Sequence, residues 1–312
     1  MNGCMETDKP LISIVMAVYE PNLQWFKEQL ESLEEQTYPN LELLVIDDCS
    51  PTVPFEIIKQ YVSECIRSFP YQVDRNEKNL GSNLTFERLT RWAKGKYIAY
   101  CDQDDVWLPE KIDELHSELQ RTGAVMCYCD MAIINEVGCK MADSLRAIRP
   151  RLQYWQGENL LDRYFFRNCT AGCSMLIQTA LAKQAIPFPP HTVADHWLAL
   201  WASRNGNIAF ADQRLVLYRQ HQNNQTGILS GVENKRNYYK LRVVPLQERL
   251  DWLTNRVSVP QGICMFVAAR IKRDIIGIWK NRKYSPNEAA LEIAMKFMPD
   301  AIFRKCIAKL KI

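Results

Sequence analysis

The chain has 312 residues, 47% of them hydrophobic and 24% charged, a globular composition that excludes intrinsic disorder and suits one large α/β domain with appendages or two modest domains. The net charge of +3 points to no particular partner and gives no sign of nucleic-acid binding, but it is unevenly spread. From Pro260 onward eleven lysines and arginines stand against four acids, and before it 28 stand against 32, so a mildly acidic body carries a basic tail.

The first ten residues, MNGCMETDKP, are polar and supply no signal-peptide core. Residues 11–18 are β-rich and apolar on both faces, as in a buried parallel strand. Asn22 caps a helix reaching about Gln36, with Leu23, Phe26, Leu30 and Leu33 at helical spacing. A second buried strand, 41–46, ends in Asp47-Asp48. A helix over 55–67, a short strand over 71–74, a helix over 82–93 after the turn at Gly81, and a strand over 97–101 follow. A helix opened by Pro109 and the strand-like AVMCYCD continue the alternation, which predicts a mostly parallel sheet flanked by helices. The middle, 142–190, is less regular, with a helix-like ENLLDRYFF and a strand-like CSMLIQ. HTVADHWLALWASRNG is a capped helix ending at Gly206, and NIAF and RLVLYRQH are two short strands. Beyond Gly227 the pattern is mostly helical.

Eleven cysteines without framework spacing, and without any CxxC, indicate reduced thiols in a cytosol-facing protein rather than structural zinc. No apolar run is long enough for a membrane span. The sequons at Asn83, Asn168 and Asn224 carry no meaning in that compartment.

In sheets of this kind ligands bind at the carboxyl ends of the strands, so Asp47-Asp48 and the cluster Asp102, Asp104 and Asp105 should meet in one crevice. No G-x-G-x-x-G follows the first strand, which argues against ordinary dinucleotide binding. Three carboxylates within four residues repel one another. A solvated turn capping the next helix is one account of them. A hard cation, Mg²⁺ or Mn²⁺, shared with a diphosphate is the other, and Trp107-Leu108 immediately after the cluster favours it by drawing the turn against the core. DQDDV also fits the D-x-D-x-[TV] pattern of haloacid-dehalogenase-type phosphatases, but it follows about the fourth strand and has no evident partner lysine motif.

ISIVMAVYEPNLQWFKEQLESLEEQTYPNLELLVIDDCS, NEKNLGSN, GKYIAYCDQDDVWLPEKI, ADHWLALW and LVLYRQHQNNQTG, in that order, resemble an inverting family-2 glycosyltransferase of the GT-A fold. The last two fragments are most similar to the bacterial surface-polysaccharide subgroup that contains rhamnosyltransferases. The resemblance implies a GT-A domain over 9–227 and a helical C-terminal region over 228–312. It also implies metal-dependent transfer of a sugar, L-rhamnose from dTDP-rhamnose as the preferred donor, onto a glycan or lipid-linked acceptor in O-antigen or capsule synthesis. A nucleotide-sugar-binding protein without turnover is the non-enzymatic alternative.

Carried onto this chain, the resemblance implies that Ala17, Val18 and Tyr19 hold the nucleotide base, with Glu20 standing where Asn is commoner. Asp47 or Asp48 accepts the imide N–H of a pyrimidine. Asn79 and Gly81 form the turn beside the nucleotide, and Gly81 reads equally well as a simple turn residue. Asp102 takes the ribose, Gln103 belongs to the same donor site, Asp104 takes the cation, and Asp105 supports them or contacts the sugar. Asp195 is the base that deprotonates the acceptor, although Ala194 departs from the usual preceding residue and an N-cap is the plain alternative. His221 is a further metal ligand or a hydrogen-bonded loop histidine, and Arg219 pairs with the diphosphate or with a neighbouring acid. Trp197 lines the acceptor or lies in an apolar stripe. His116 and His191 are structural, and nothing completes a zinc set around His196.

In the tail, Ile263, Phe266, Val267, Ile271, Ile275 and Ile278 fall on one helical face beside Arg270, Lys272, Arg273, Lys280, Arg282 and Lys283. Such a helix can lie on an anionic bilayer at the inner face of the cell membrane, or pack as a helical subdomain.

Overall fold

The computed structural model describes residues 9–221 and 231–310. The expected boundary at residue 227, the sequon at Asn224 and most of the N-terminal polar stretch lie outside the described residues. Among the described residues nine strands form one sheet: β1 (Ile12–Val18), β2 (Leu41–Asp47), β3 (Tyr71–Arg75), β4 (Tyr97–Cys101), β5 (Val106–Trp107), β6 (Met126–Ile134), β7 (Lys140–Ala142), β8 (Met175–Gln178) and β9 (Ile208–Arg219). Their order is β3-β2-β1-β4-β8-β6-β9-β5, with β7 paired to β6. The neighbours β3, β2, β1 and β4 are parallel, β8 runs antiparallel to both β4 and β6, and β6 and β9 are parallel. This is the mostly parallel α/β architecture expected from the alternation of elements.

The helices α1 (Leu23–Glu34), α2 (Phe55–Cys65), α3 (Ser82–Trp92) and α4 (Lys111–Thr122) connect the first strands. Asn22 caps α1, its side chain accepting from the N–H groups of Gln24 and Trp25. One core joins alternate β1 residues (Ile12, Ile14, Met16, Val18) to Phe26, Leu30 and Leu33 of α1, Ile58 and Val62 of α2, and Leu115 and Leu119 of α4. The edge strand β3 is half-exposed and polar, as an edge tolerates.

The two strands expected over 207–221 are one, Ile208–Arg219. Opposite β6, Cys129 faces Ala211, Asp130 faces Arg214 and Met131 faces Val216, so β9 carries extra residues at a bulge. The exposed polar residues Asp212 and Gln213 sit in that bulge, which breaks the apolar pattern without breaking the strand.

The described chain forms two compact units. The first ends at His221 and omits Asp162–Arg167 and Pro189–Val193, which join the second with the residues after 221. In the second unit the single amphipathic tail helix is replaced by two, Gln261–Lys272 and Ile275–Lys280, separated by Arg273 in the left-handed region (φ +55°). Asp274 caps the second helix by accepting from the Ile276 N–H at 3.1 Å. Phe266, Ala269 and Ile278 pack with Ala289 and Phe166 in this unit's own core, whereas Ile271 is exposed. Arg270, expected on a charged outer face, is buried and makes three hydrogen bonds of 2.6–3.2 Å to Glu292, which also accepts from the Tyr238 hydroxyl at 2.9 Å. The face assigned to a bilayer is therefore largely this unit's interior. No helix among the described residues is long and apolar enough to cross a membrane.

Helix α3 stops at Trp92 with Ala93 as its cap, and the connection to β4 holds Gly95. Its need is space: a Cβ there would lie 2.6 Å from the Ser13 N and 2.7 Å from the Leu11 O, both backbone atoms of the chain entering and forming β1. Gly95→Ala is expected to destabilise the first unit by about 1–3 kcal/mol through this overpacking, read as a lowered urea midpoint. An unchanged midpoint would contradict the close approach.

Candidate active site

The register of the parallel strands aligns their carboxyl ends, Val18 lying across from Asp47 and Met16 across from Cys101. The loops after β1, β2 and β4 therefore open together on either side of the point where the chain order reverses, between β1 and β4.

At the end of β2 both aspartates are buried. Asp47 accepts from the Ser50 N–H at 3.0 Å and from its hydroxyl at 2.6 Å, and its other oxygen lies 3.2 Å from Arg75 Nε. Asp48 accepts from Asn76 Nδ2 at 2.7 Å and from the Leu80 and Gly81 N–H groups at 2.8 Å each. It thereby braces the turn that carries Asn79 and Gly81. Asn79 is exposed and accepts from the Gly81 N–H at 3.1 Å. Gly81, at φ +82° and ψ 159°, occupies a conformation open essentially to glycine alone and leads into α3.

Near the end of β1 Ala17 is half-buried, and just past it Tyr19 is 45% exposed. The Val18 side chain lies in the core, so a side-chain contact from Val18 to a base is ruled out, while its carbonyl accepts from the Asp48 N–H at 2.7 Å. Tyr19 and Gln103 exchange two hydrogen bonds, Tyr19 N–H to Gln103 Oε1 at 2.8 Å and Gln103 Nε2 to the Tyr19 carbonyl at 3.1 Å. This joins the loop after β1 to the acidic turn after β4. Glu20, to which the sequence assigned nothing, sits at φ +47°. Its carboxylate accepts from the Thr52 and Val53 N–H groups at 2.8 and 3.3 Å and from the Thr52 hydroxyl, while its N–H donates to Ser50 Oγ at 2.8 Å. These contacts hold the loop after β2 against the loop after β1.

In the turn after β4, Asp102 and Asp104 are half-buried and Asp105 is buried. Burial, then the Asp104 and Asp195 carboxylates, push the Asp102 carboxyl up to about 7. Burial, with Asp104 and Asp102 adding to it, drives the Asp105 carboxyl well above its ordinary range. Asp105 Oδ1 accepts the Arg219 N–H at 2.9 Å, and its Oδ2 has no hydrogen-bond partner. Asp104 Oδ2 lies 2.8 Å from His221 Nε2. Asp195, in the first turn of the helix Ala194–Asn205, is pushed up to about 6 by burial against hydrogen bonds from the His196 and Gly172 N–H groups.

Two expected contacts are corrected. Trp197 is fully buried and donates its indole N–H to the Ala185 carbonyl at 2.8 Å, so it is a core residue and cannot line an acceptor. Arg219 is 1% exposed. It donates to the Asp104, Asn135 and Glu136 carbonyls at 2.8, 3.3 and 3.4 Å and pairs with Glu28, so its guanidinium faces a neighbouring acid and main-chain carbonyls. The sequence reading missed Lys111, wholly buried beneath this turn with Nζ against the Trp107 ring and no hydrogen-bond acceptor. Burial brings its ammonium down to about 8. Lysine two residues after a proline at a helix start reads as surface, so only its position behind the acids could have signalled it.

Two donor sets suit a cation differently. Ligand atoms of Asp102, Asp105 and Cys173 lie within 4.8 Å of one another. Burial holds the Cys173 thiol well above its usual range, hence protonated, and sulfur is a poor donor to Mg²⁺ or Mn²⁺. Asp104 with His221 offers a carboxylate oxygen and an imidazole nitrogen on adjoining loops, within an oxygen-rich turn, and fits such an ion better.

Residues 13–184 match glycosyl transferase family 2. An uncharacterized glycosyltransferase of Methanocaldococcus jannaschii is 29% identical over 182 residues, 57% of this chain and 59% of that protein. The Escherichia coli UDP-Glc:alpha-D-GlcNAc-diphosphoundecaprenol beta-1,3-glucosyltransferase WfgD is 25% identical, covering 65% of this chain and 73% of that protein. The dTDP-rhamnosyl transferase RfbG of Shigella flexneri is 26% identical, covering 78% and 82%. The chain spans only 33–65% of the lengths of the M. jannaschii protein and four further relatives of this kind. Among solved structures, S. aureus TarS in complex with UDP-GlcNAc superimposes with a TM-score of 0.60 at 16% identity, covering 90% of this chain and 83% of that one. The mannosyltransferase PcManGT of Pyrobaculum calidifontis, in complex with GDP-Man and Mn²⁺, gives 0.54 at 15%, covering 97% and 81%. These likenesses establish a GT-A-like fold.

Replacing Asp48 removes three hydrogen bonds to a carboxylate, leaving the Leu80 N–H without its acceptor and the Gly81 N–H with Asn79 Oδ1 alone. Asp48→Ala is therefore expected to cost on the order of 3 kcal/mol or more and to speed hydrogen exchange selectively over residues 76–81. Uniform exchange with unchanged stability would contradict the brace.

Proposed function

We propose, for a chain that belongs to glycosyl transferase family 2, that it transfers a sugar from a nucleoside-diphosphate donor to an acceptor hydroxyl with inversion at the anomeric carbon. The observation that carries this reading is the set of groups gathered at the end of β4. The acidic turn, a histidine from the end of β9 and a second, separately held aspartate face one another where a GT-A-like sheet binds ligands. The Asp195 carboxyl, raised to about 6, is ionised at neutral pH yet basic enough to take a proton from a hydroxyl as its oxygen attacks. The His196 and Gly172 N–H groups keep one orientation for it.

Asp104 and His221 would hold Mg²⁺ or Mn²⁺. When bound, the cation would act as a Lewis acid on the diphosphate leaving group. Asp102 would take the ribose or deoxyribose, and Tyr19, whose backbone Gln103 holds and whose side chain is exposed, would stack on the base. The buried Asp47 and Asp48 would shape the pyrimidine site from below, with Asn79 and Gly81 at its rim. The Mn²⁺ bound to PcManGT supports a metal reading. RfbG supports dTDP-L-rhamnose as donor, and WfgD, whose name carries a diphosphoundecaprenol-linked sugar, supports a lipid-linked acceptor. With that acceptor we place the protein in surface-polysaccharide assembly in the cytoplasm. Exposed Ile276 and Trp279, beside Lys280, Arg282 and Lys283, are the residues that would touch a membrane.

Three outcomes test this reading. In a thermal-shift screen with Mn²⁺, dTDP-rhamnose should raise the melting temperature more than GDP- or UDP-sugars do, and a GDP preference would contradict the pyrimidine assignment. In a transfer assay Asp195→Asn should lose about 10²–10⁴-fold in kcat while retaining donor binding. Because the protonated carboxyl cannot accept a proton, wild-type kcat/KM should fall as pH drops through about 6 and level off above it. Donor binding without turnover for any acceptor would leave a binding module, and phosphate release from simple monoesters would point to a phosphatase.

A further inference from the structure

Asp104 and His221 come from loops far apart in the chain and meet at 2.8 Å. Among the described residues, one face of α1 backs that meeting point. Trp25 and Glu28, three residues apart, project from the same side of that helix. The Trp25 ring lies 4.9 Å from the His221 ring, centre to centre, and its indole N–H donates to the Glu136 carbonyl at 2.9 Å. The Arg219 guanidinium sits 5.4 Å from the centre of the same Trp25 ring and pairs with Glu28. From there Arg219 reaches the acidic turn twice, through Nε to the Asp104 carbonyl at 2.8 Å and through its N–H to the Asp105 carboxylate at 2.9 Å.

We propose that Trp25, Glu28 and Arg219 form a brace that sets the distance between Asp104 and His221, and that they are positioning residues for the cation. The inference rests on the reading of Asp104 and His221 as cation ligands. Two physical effects work together in it. The Trp25 face limits the tilt of the imidazole, so Nε2 stays directed at Asp104. Glu28 neutralises a guanidinium that is 1% exposed; without it a buried positive charge would stand beside the place a divalent cation must occupy. Partners one shell behind a metal's ligands are typically worth about 10–100-fold in metal affinity.

The test measures Mn²⁺ affinity directly, as loss of the free-ion EPR signal on titration in the presence of dTDP, with melting temperatures recorded in parallel. Trp25→Leu removes the ring and Glu28→Gln removes the neutralising charge; each is expected to weaken Mn²⁺ binding about tenfold. Trp25→Phe, which retains a ring but not the N–H, should stay within about threefold of wild type. Lys27→Ala, on the exposed side of α1, should match wild type. Saturable binding by wild type with unchanged affinity in Trp25→Leu and Glu28→Gln would overturn the brace while leaving the cation site standing. Absence of saturable binding in folded wild type would overturn the cation reading beneath it. A loss in Trp25→Leu that Trp25→Phe shares in full would also overturn the brace, since the ring face would then carry no effect.

Discussion

Burying carboxylates beside one another is unfavourable twice over, through lost hydration and through mutual repulsion, and the turn after β4 does both. Asp102 and Asp105 are raised by burial first and by neighbouring acids second, and one oxygen of Asp105 has no partner. Another buried carboxylate in the same unit shows what a satisfied one looks like. Asp130, on β6, accepts from the Met131 and Leu145 N–H groups, the Ser144 hydroxyl and the Tyr154 hydroxyl. Asp130 needs nothing further, whereas the turn after β4 does, and in the proposed reading a divalent cation and the diphosphate it carries supply it. Lys111 beneath the turn offers one buried positive charge against three acids, which eases the repulsion without cancelling it.

The sheet delivers the groups to that place. Parallel pairing of β1 with β2 and with β4 puts three loop entrances at one level, and the short antiparallel strand β8 then inserts between β4 and β6. The loops are tied to one another rather than left to find their positions. Glu20 holds the loop after β2, Asp48 holds the turn before α3, Tyr19 and Gln103 hold each other, and Arg219 holds the acidic turn. Preorganisation of this kind lets a site fix charge without reordering the chain as ligand arrives.

Much of this was legible in the sequence because local rules and tertiary demands agree. Buried parallel strands read as unbroken apolar runs, Asn22 reads as a cap, and the acids fall at strand ends. What was missed depends on contacts between distant residues. Arg219 and Trp197 carry chemistry that suits ligand binding, and only their burial shows that Glu28 and Ala185 already engage them. The bulge in β9 hid one strand behind a polar interruption. The tail's apolar stripe was real, but Arg273 breaks the helix, and helix periodicity cannot tell a bilayer from a neighbouring helix as the surface that covers it. Glu20 and Trp25 gave no signal because their partners are remote in the chain, and Lys111 gave none because its burial against Trp107 is a tertiary outcome.

The most direct measurement is an anomalous-scattering map from crystals grown with Mn²⁺ and dTDP. The account predicts one peak beside the Asp104 carboxylate and the His221 imidazole, next to the bound diphosphate. A bound dTDP with no peak there, or a peak confined to the Asp102, Asp105 and Cys173 group, would contradict it.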